Sequence, residues 1–353
     1  MSFSVGIIGL PNVGKSTLFK ALTKKQVNIS NYPFCTIDPN VGIVKVPDER
    51  LDRLSKILHP EQTLPTHIEF IDIAGLVKGA HEGQGLGNQF LSHIREADAL
   101  VEVVRDFSDP EVSHITGKIN PDSDIETIKL ELIFADLFSI ENRLEKIQKE
   151  VKNEDKQTLK LFETLKKIKT ALNRGLTITE ANLPEDEEPL LKNLNLLTAK
   201  PIVYVINIDE NKIKERRSTN NRQIYLCAKL ESELIDLPED EIREYLKGYG
   251  QSRSALDTLI ISSYKLLNLI TFFTCQNQIL QAWTIPQKTK VSKAAEKIHT
   301  DMARGFIKAE VTGWQHLADK GTEHGVREAG LMRTEGKEYE VQDGDVIHFK
   351  FSI

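Results

Sequence analysis

Eight consecutive residues, Gly9-Leu10-Pro11-Asn12-Val13-Gly14-Lys15-Ser16, have the side chains and spacing of a phosphate cradle, and Thr17 extends it. Gly9 and Gly14 let backbone N–H groups, those of Asn12 and Val13 among them, turn toward an anion with no Cβ in the way. A helix starting beyond them adds the positive end of its dipole. Lys15 is long enough to reach β- and γ-phosphates, and the Ser16 hydroxyl is a suitable Mg²⁺ ligand. The competing reading is a glycine-rich turn that binds nothing. The flanks argue against it, because an apolar run, Val5 to Ile8, leads in and a helical pattern, Thr17 to Leu22, leads out. The sequence thus implies a bound nucleoside triphosphate.

Three further residues fit that chemistry by their order. Thr36, in a polar, proline-interrupted stretch, can offer Mg²⁺ a second hydroxyl. Asp72, where the strand pattern 66–71 ends, can hold a Mg²⁺-bound water. The Gly75 N–H can bind the γ-phosphate, a bond lost on hydrolysis, so loops 28–36 and 75–90 read as switches. Taken alone, each could be an ordinary turn.

These groups need elements to hold them. Strand patterns at 5–8, 41–46, 66–71, 99–104, 201–206 and 223–226 alternate with helical ones at 17–22, 48–58, 88–97 and 231–245. Such alternation predicts an α/β fold with a mostly parallel sheet. Between them, Leu130, Ile133, Leu137, Ile140, Leu144, Ile147 and Val151 recur in steps of three and four, a heptad seam. After a polar break at 152–157, Leu161, Leu165, Ile168 and Leu172 continue it, which predicts two antiparallel helices in a hairpin. Residues 141–174 hold ten Lys/Arg against six Asp/Glu. That excess suits RNA contact, or equally a solvated coiled-coil face. Strands at 270–275 and 280–285, a helix at 291–299 and a turn at 341–346 before a closing strand predict a small last domain.

Composition bounds the rest. The 353 residues call for two or three domains, and 40% hydrophobic content with 28% charge describes an ordinary globular chain. No run is long and apolar enough for a membrane span, so no membrane partner is expected. Cys35, Cys227 and Cys275 are odd in number and far apart, which fits neither a metal spacing nor a disulfide framework and points to a reducing cytoplasm. The net charge of −6 gives no global pull toward nucleic acid. Whether Cys35 has a redox role stays open.

The chain resembles the YchF-type Obg-like ATPases of the translation-factor class of P-loop NTPases. The resemblance is carried by Gly9 to Thr17, Asn31-Tyr32-Pro33-Phe34-Cys35-Thr36, Asp72-Ile73-Ala74-Gly75-Leu76-Val77-Lys78-Gly79-Ala80 and Gly85-Leu86-Gly87-Asn88. From Tyr264 through Ala282-Trp283-Thr284-Ile285-Pro286 to Asp343-Gly344-Asp345, the chain is similar to the β-grasp TGS domain that closes these proteins. The resemblance implies a nucleotide-binding domain over 1–124 and 201–269, an inserted helical hairpin over 125–200 and a TGS domain over 270–353. It implies a monomeric ATP-hydrolysing switch associated with the ribosome or a ribosomal subunit, with RNA contact through hairpin or TGS domain. The rivals are a GTPase of the same class and a nucleotide-gated scaffold with negligible hydrolysis.

Guanine-specific relatives carry N-K-x-D, whose aspartate accepts both guanine N–H donors. Here the stretch is Asn207-Ile208-Asp209-Glu210, with isoleucine for the lysine, glutamate for the aspartate, and Asp209 out of register. Without the matched acceptor the site loses guanine selectivity. By this match Asn207 and the Ile208 backbone contact adenine, with Ala228 and Lys229 against the base; the alternative is that Glu210 reads guanine through a water. Leu76 stands where Ras-like enzymes keep a water-orienting glutamine, so catalysis needs another group. His114 is the candidate beside Lys15 and Gly75, with His81 and His93 as rivals. Asn12 is the loop residue with which related NTPases recruit K⁺.

Overall fold

The computed structural model describes residues 3–24, 40–73, 91, 93–114, 117–150, 156–184, 186–191, 194–215 and 222–352. Two compact units divide the chain: residues 1–44 with 69–263, and residues 45–68 with 264–353.

The first unit is built on a six-stranded sheet. In chain order its strands are β1 (Ser4–Ile8), β2 (Val41–Lys45), β4 (His67–Asp72), β5 (Ala99–Asp106), β6 (Ile202–Ile208) and β7 (Gln223–Leu226), arranged β2-β4-β1-β5-β6-β7. Every neighbour pair from β4 to β7 is parallel. At the β2 edge the bonds Asp72 N–H to Asn40 O and Val46 N–H to Thr66 O run antiparallel. The central strands are apolar runs because both faces are covered, and Val5, Ile7, Leu100, Val101, Val203 and Val205 are fully buried. Helix α1 (Lys15–Lys24) follows β1 directly and buries Leu18, Ala21 and Leu22.

The heptad seam forms α3 (Pro121–Glu150) and α4 (Lys156–Asn173), which pack through Ile133, Ile140, Ile147, Leu165, Ile168 and Leu172. Leu130, expected in that seam, is 38% exposed. The seam starts one step later, at Ile133, because the partner helix has 18 residues against 30 and ends at Asn173, short of Leu130. The base of α3 is pinned by buried Asp136, whose carboxylate accepts Leu197 N–H, Thr198 N–H and the Thr198 hydroxyl. The acidic stretch expected as one helix over 231–245 is two, α5 (Ala228–Leu234) and α6 (Glu239–Gly248). Pro238 separates them, since it has no N–H to continue the first and suits the start of the second.

The second unit holds a six-stranded sheet ordered β11-β10-β12-β8-β9-β3, comprising β3 (Gln62–Leu64), β8 (Leu269–Gln276), β9 (Ile279–Pro286), β10 (Phe306–Gly313), β11 (Arg333–Glu335) and β12 (Asp345–Phe351). Here the structure departs from a continuous amino-terminal domain over 1–124. Strand β3 runs parallel along the edge of β9, and helix α2 (Glu49–Leu58) places Leu51 and Leu54 in one cluster with Phe273, Leu280, Leu317 and Val346. Arg50 reinforces this by pairing with Asp48 and Asp343 while its guanidinium lies over the Phe273 ring. Phe272 and Phe273 are fully buried, and Trp283 and Trp314 pack against the clusters, so these aromatics serve the core.

Candidate nucleotide site

The site lies at the carboxyl ends of β1, β4, β5 and β6, where open parallel sheets bind ligands. The turn out of β1 takes positive φ at Gly9 (150°), Asn12 (63°) and Gly14 (100°). Gly14 is required twice over, because a Cβ there would also sit 2.3 Å from Asn207 Nδ2. The Leu18 N–H to Gly14 O bond then starts α1.

Lys15 is only 7% exposed. Its Nζ donates to Gly9 O at 3.0 Å and Leu10 O at 2.7 Å, so the ammonium lies across the loop it serves. Burial pulls its pKa down to about 8, with the Asp72 charge opposing the shift. Asp72, at the end of β4, is pushed above the usual carboxylate range by burial and held back by Lys15. Ser16, in the first turn of α1, is exposed. A serine hydroxyl and an aspartate carboxylate are hard oxygen donors of the type Mg²⁺ takes. Thr36, Gly75, Cys35, Leu76 and His81 lie outside the described residues.

Beside the loop is a cleft of about 570 Å³. One wall brings together Asn207, Ile208, Ala228 and Lys229, with Asn12, Gly14 and Thr17 at the phosphate end. Asn207 acts as a brace: its Nδ2 donates to Val13 O and its Oδ1 accepts Ala228 N–H, both at 3.0 Å. Its side-chain amide is thereby committed to protein groups. Asp209 points elsewhere, as its register predicts, accepting Ser108 N–H at 3.1 Å and pairing with Lys212 at 3.2 Å. Glu210 Oε1 accepts the Tyr249 hydroxyl at 2.7 Å and the Tyr245 hydroxyl at 2.9 Å.

A further part of the lining, Phe107, Ser108, Asp109 and Val112, escaped the sequence reading. It is shaped by Arg105, 2% exposed at the end of β5, which donates to Phe107 O at 3.1 Å, Val112 O at 2.9 Å and Asp109 O at 3.3 Å. Its guanidinium also lies 4.4 Å from the Phe107 ring centroid. The available signal was an arginine near the end of a strand whose neighbours Val103 and Val104 are apolar, since a buried charge must be hydrogen-bonded.

This loop meets the cradle, with Asn12 Nδ2 donating to Ser113 O at 3.2 Å. The next residue, His114, turns its ring toward the first turn of α3, where Nε2 lies 2.9 Å from Asp124 Oδ2. Burial, and then the Asp124 charge, push the pKa of Glu102 in β5 well above the usual carboxylate range. His93 is exposed in the helical stretch 93–96. Among the described residues no group of three or more His, Cys, Asp or Glu forms a metal cluster, and no helix is long and apolar enough to cross a membrane.

Comparison with known proteins gives a consistent picture. A family model described as "50S ribosome-binding GTPase" matches residues 4–174, and the YchF-GTPase_C model, described as a protein of unknown function (DUF933), matches residues 269–352. "Ribosome-binding ATPase YchF" of Bacillus subtilis is 48% identical over 366 aligned residues, and that of Pasteurella multocida 45% over 363, each covering all of both chains. The solved structure of the Schizosaccharomyces pombe YchF GTPase superposes with a TM-score of 0.87 at 36% identity, covering 99% of this chain and 98% of that one. A phosphate cradle on a parallel sheet, the altered base-reading stretch and full-length identity to these relatives lead to one assignment: the chain belongs to the YchF family.

Proposed function

We propose that this protein is an ATP-hydrolysing molecular switch that works with the ribosome. One observation carries the base choice. The carboxylate at the guanine-reading position, Glu210, is engaged by two tyrosine hydroxyls, and the neighbouring Asp209 carboxylate is taken up by Ser108 N–H and Lys212. Ile208, Cys227, Ala228, Lys229 and the braced Asn207 line the cleft beside them. Both carboxylates are thus engaged by protein groups and not presented to the paired N–H donors of guanine, and the relatives' curated names say ATPase. In this reading the Ile208 backbone and Ala228-Lys229 flank adenine, while Asn207 keeps the two loops at the right spacing.

For hydrolysis, Ser16, Thr36 and, through water, Asp72 would hold Mg²⁺, which supplies positive charge against the phosphate oxygens. Lys15 and the Gly75 N–H bind the γ-phosphate, so its loss releases the switch loops. Asn12 spends its NH₂ group on Ser113 O, and its amide oxygen is a donor of the kind K⁺ takes. His114 orients the attacking water, with Asp124 fixing its ring as a carboxylate does for a histidine base. Ribosome contact runs through the helical pair and the TGS-like carboxyl-terminal unit, with the protein acting as a monomer.

The GTPase reading is supported by the word "GTPase" in the names of the S. pombe structure and of both matching families. Fluorescent ATP and GTP analogues titrated against the full chain decide between the two. Tighter ATP binding, lost in Lys15→Ala, is expected, and equal or tighter GTP binding overturns the adenosine reading. Single-turnover hydrolysis with and without ribosomes separates a switch enzyme from a scaffold.

A further inference from the structure

Glu210 occupies the chain position where guanine-specific relatives place their base-reading aspartate, yet it lines the cleft with its carboxylate turned to a neighbouring helix. Tyr245 lies on α6 and Tyr249 is that helix's C-cap. Their rings pair at 5.3 Å between centroids, and Lys214 Nζ lies 5.4 Å from the centre of the Tyr249 ring. Both hydroxyls converge on the single oxygen Oε1. Phenol O–H groups donate most strongly to an ionised carboxylate, and the two bonds hold the Glu210 acid below its usual range.

We infer that Tyr245 and Tyr249 form a clamp that sets purine choice by holding Glu210 away from the base edge. This rests on the adenosine reading above. The chemistry is two-sided. Guanine presents N1–H and N2–H donors, which a free carboxylate would accept as a pair. Adenine presents a bare N1, which the same carboxylate would repel. A clamped Glu210 can do neither, so adenine is tolerated and guanine receives no reward. The tyrosines act through Glu210 and are positioning residues.

The test is the ATP-to-GTP affinity ratio of the full chain, read with fluorescent analogues for wild type, Tyr245→Phe, Tyr249→Phe and the double variant. Phenylalanine keeps the ring pair and removes only the hydroxyls, and thermal midpoints check the fold. The double variant should shift the ratio toward GTP by about tenfold, with each single variant giving part of the shift. Adding Glu210→Gln to the double variant should abolish the gain, because an amide cannot accept both guanine donors as a carboxylate does. An unchanged ratio in the double variant overturns the clamp, and so does a gain that survives Glu210→Gln. Wild type preferring GTP would instead sink the adenosine reading, leaving the clamp to be judged by the Glu210-dependent shift alone.

Discussion

Burial of Lys15 disfavours its own charge. A buried ammonium that titrates near 8, against an ordinary 10.5, has lost hydration that two loop carbonyls only partly replace. Between those two values the unfolded chain binds more protons than the folded one, so this group makes the fold more stable as pH rises across that window. A triphosphate works in the opposite sense, since its charge favours the ammonium. Titration calorimetry near pH 8.5, run in buffers of differing ionisation enthalpy, should therefore record uptake of most of a proton per ATP bound. Uptake should shrink to a small fraction of a proton at pH 7, where the ammonium is already mostly formed, and ATP affinity should weaken as pH climbs above about 8. At this scale much of the site was legible, because Lys15, Ser16 and Asp72 sit in short local patterns whose chemistry follows from spacing. The partners of Glu210 were not. Tyr245 and Tyr249 lie more than thirty residues on, in a helix with no nucleotide motif of its own.

The loop between β5 and α3 is the element on which the cleft depends. Its backbone carbonyls at Phe107, Asp109 and Val112 turn inward to one buried guanidinium, so a single side chain decides the shape of a whole wall. Arg105→Met keeps much of the volume and strands those carbonyls. It should cost about 2–3 kcal/mol in urea denaturation and weaken ATP binding roughly tenfold, with hydrolysis per bound ATP changed less. A variant as stable as wild type with unaltered affinity would deny the arginine this role. Among the parallel strands β1 and β6 were readable as apolar runs and β4 by its alternation, and the helical pair as a heptad seam. Helix α7 (Ala255–Leu266) escaped notice because it buries Ser262 and Ser263 along with Leu256, Leu259 and Ile260, which blurs the apolar period that would mark it. The turn at Pro238 could have been foreseen from the proline alone.

At the scale of the whole molecule, the carboxyl-terminal unit is not made only of carboxyl-terminal residues. Segment 45–68 supplies an edge strand and two buried leucines to it. A fragment of residues 264–353 should then be incomplete, with the β9 edge bare and a cavity where Leu51 and Leu54 belong. Fusing residues 45–68 to it through a Gly/Ser linker should raise its unfolding free energy by more than about 4 kcal/mol, on the scale of two buried leucines. Urea unfolding of the two fragments makes the comparison, and equal midpoints would refute it. Sequence order hid this arrangement, because pairing β3 with β9 is a long-range choice that no local pattern announces.

That pairing also imposes a timetable on biosynthesis. Strand β3 ends at Leu64 and its partner begins at Ile279, so more than 200 residues must be translated before the two can meet. At ~5–20 residues per second, the young segment waits roughly 10–40 s with its apolar face uncovered. A strand made late thus completes a structure begun more than 200 residues earlier in the same chain.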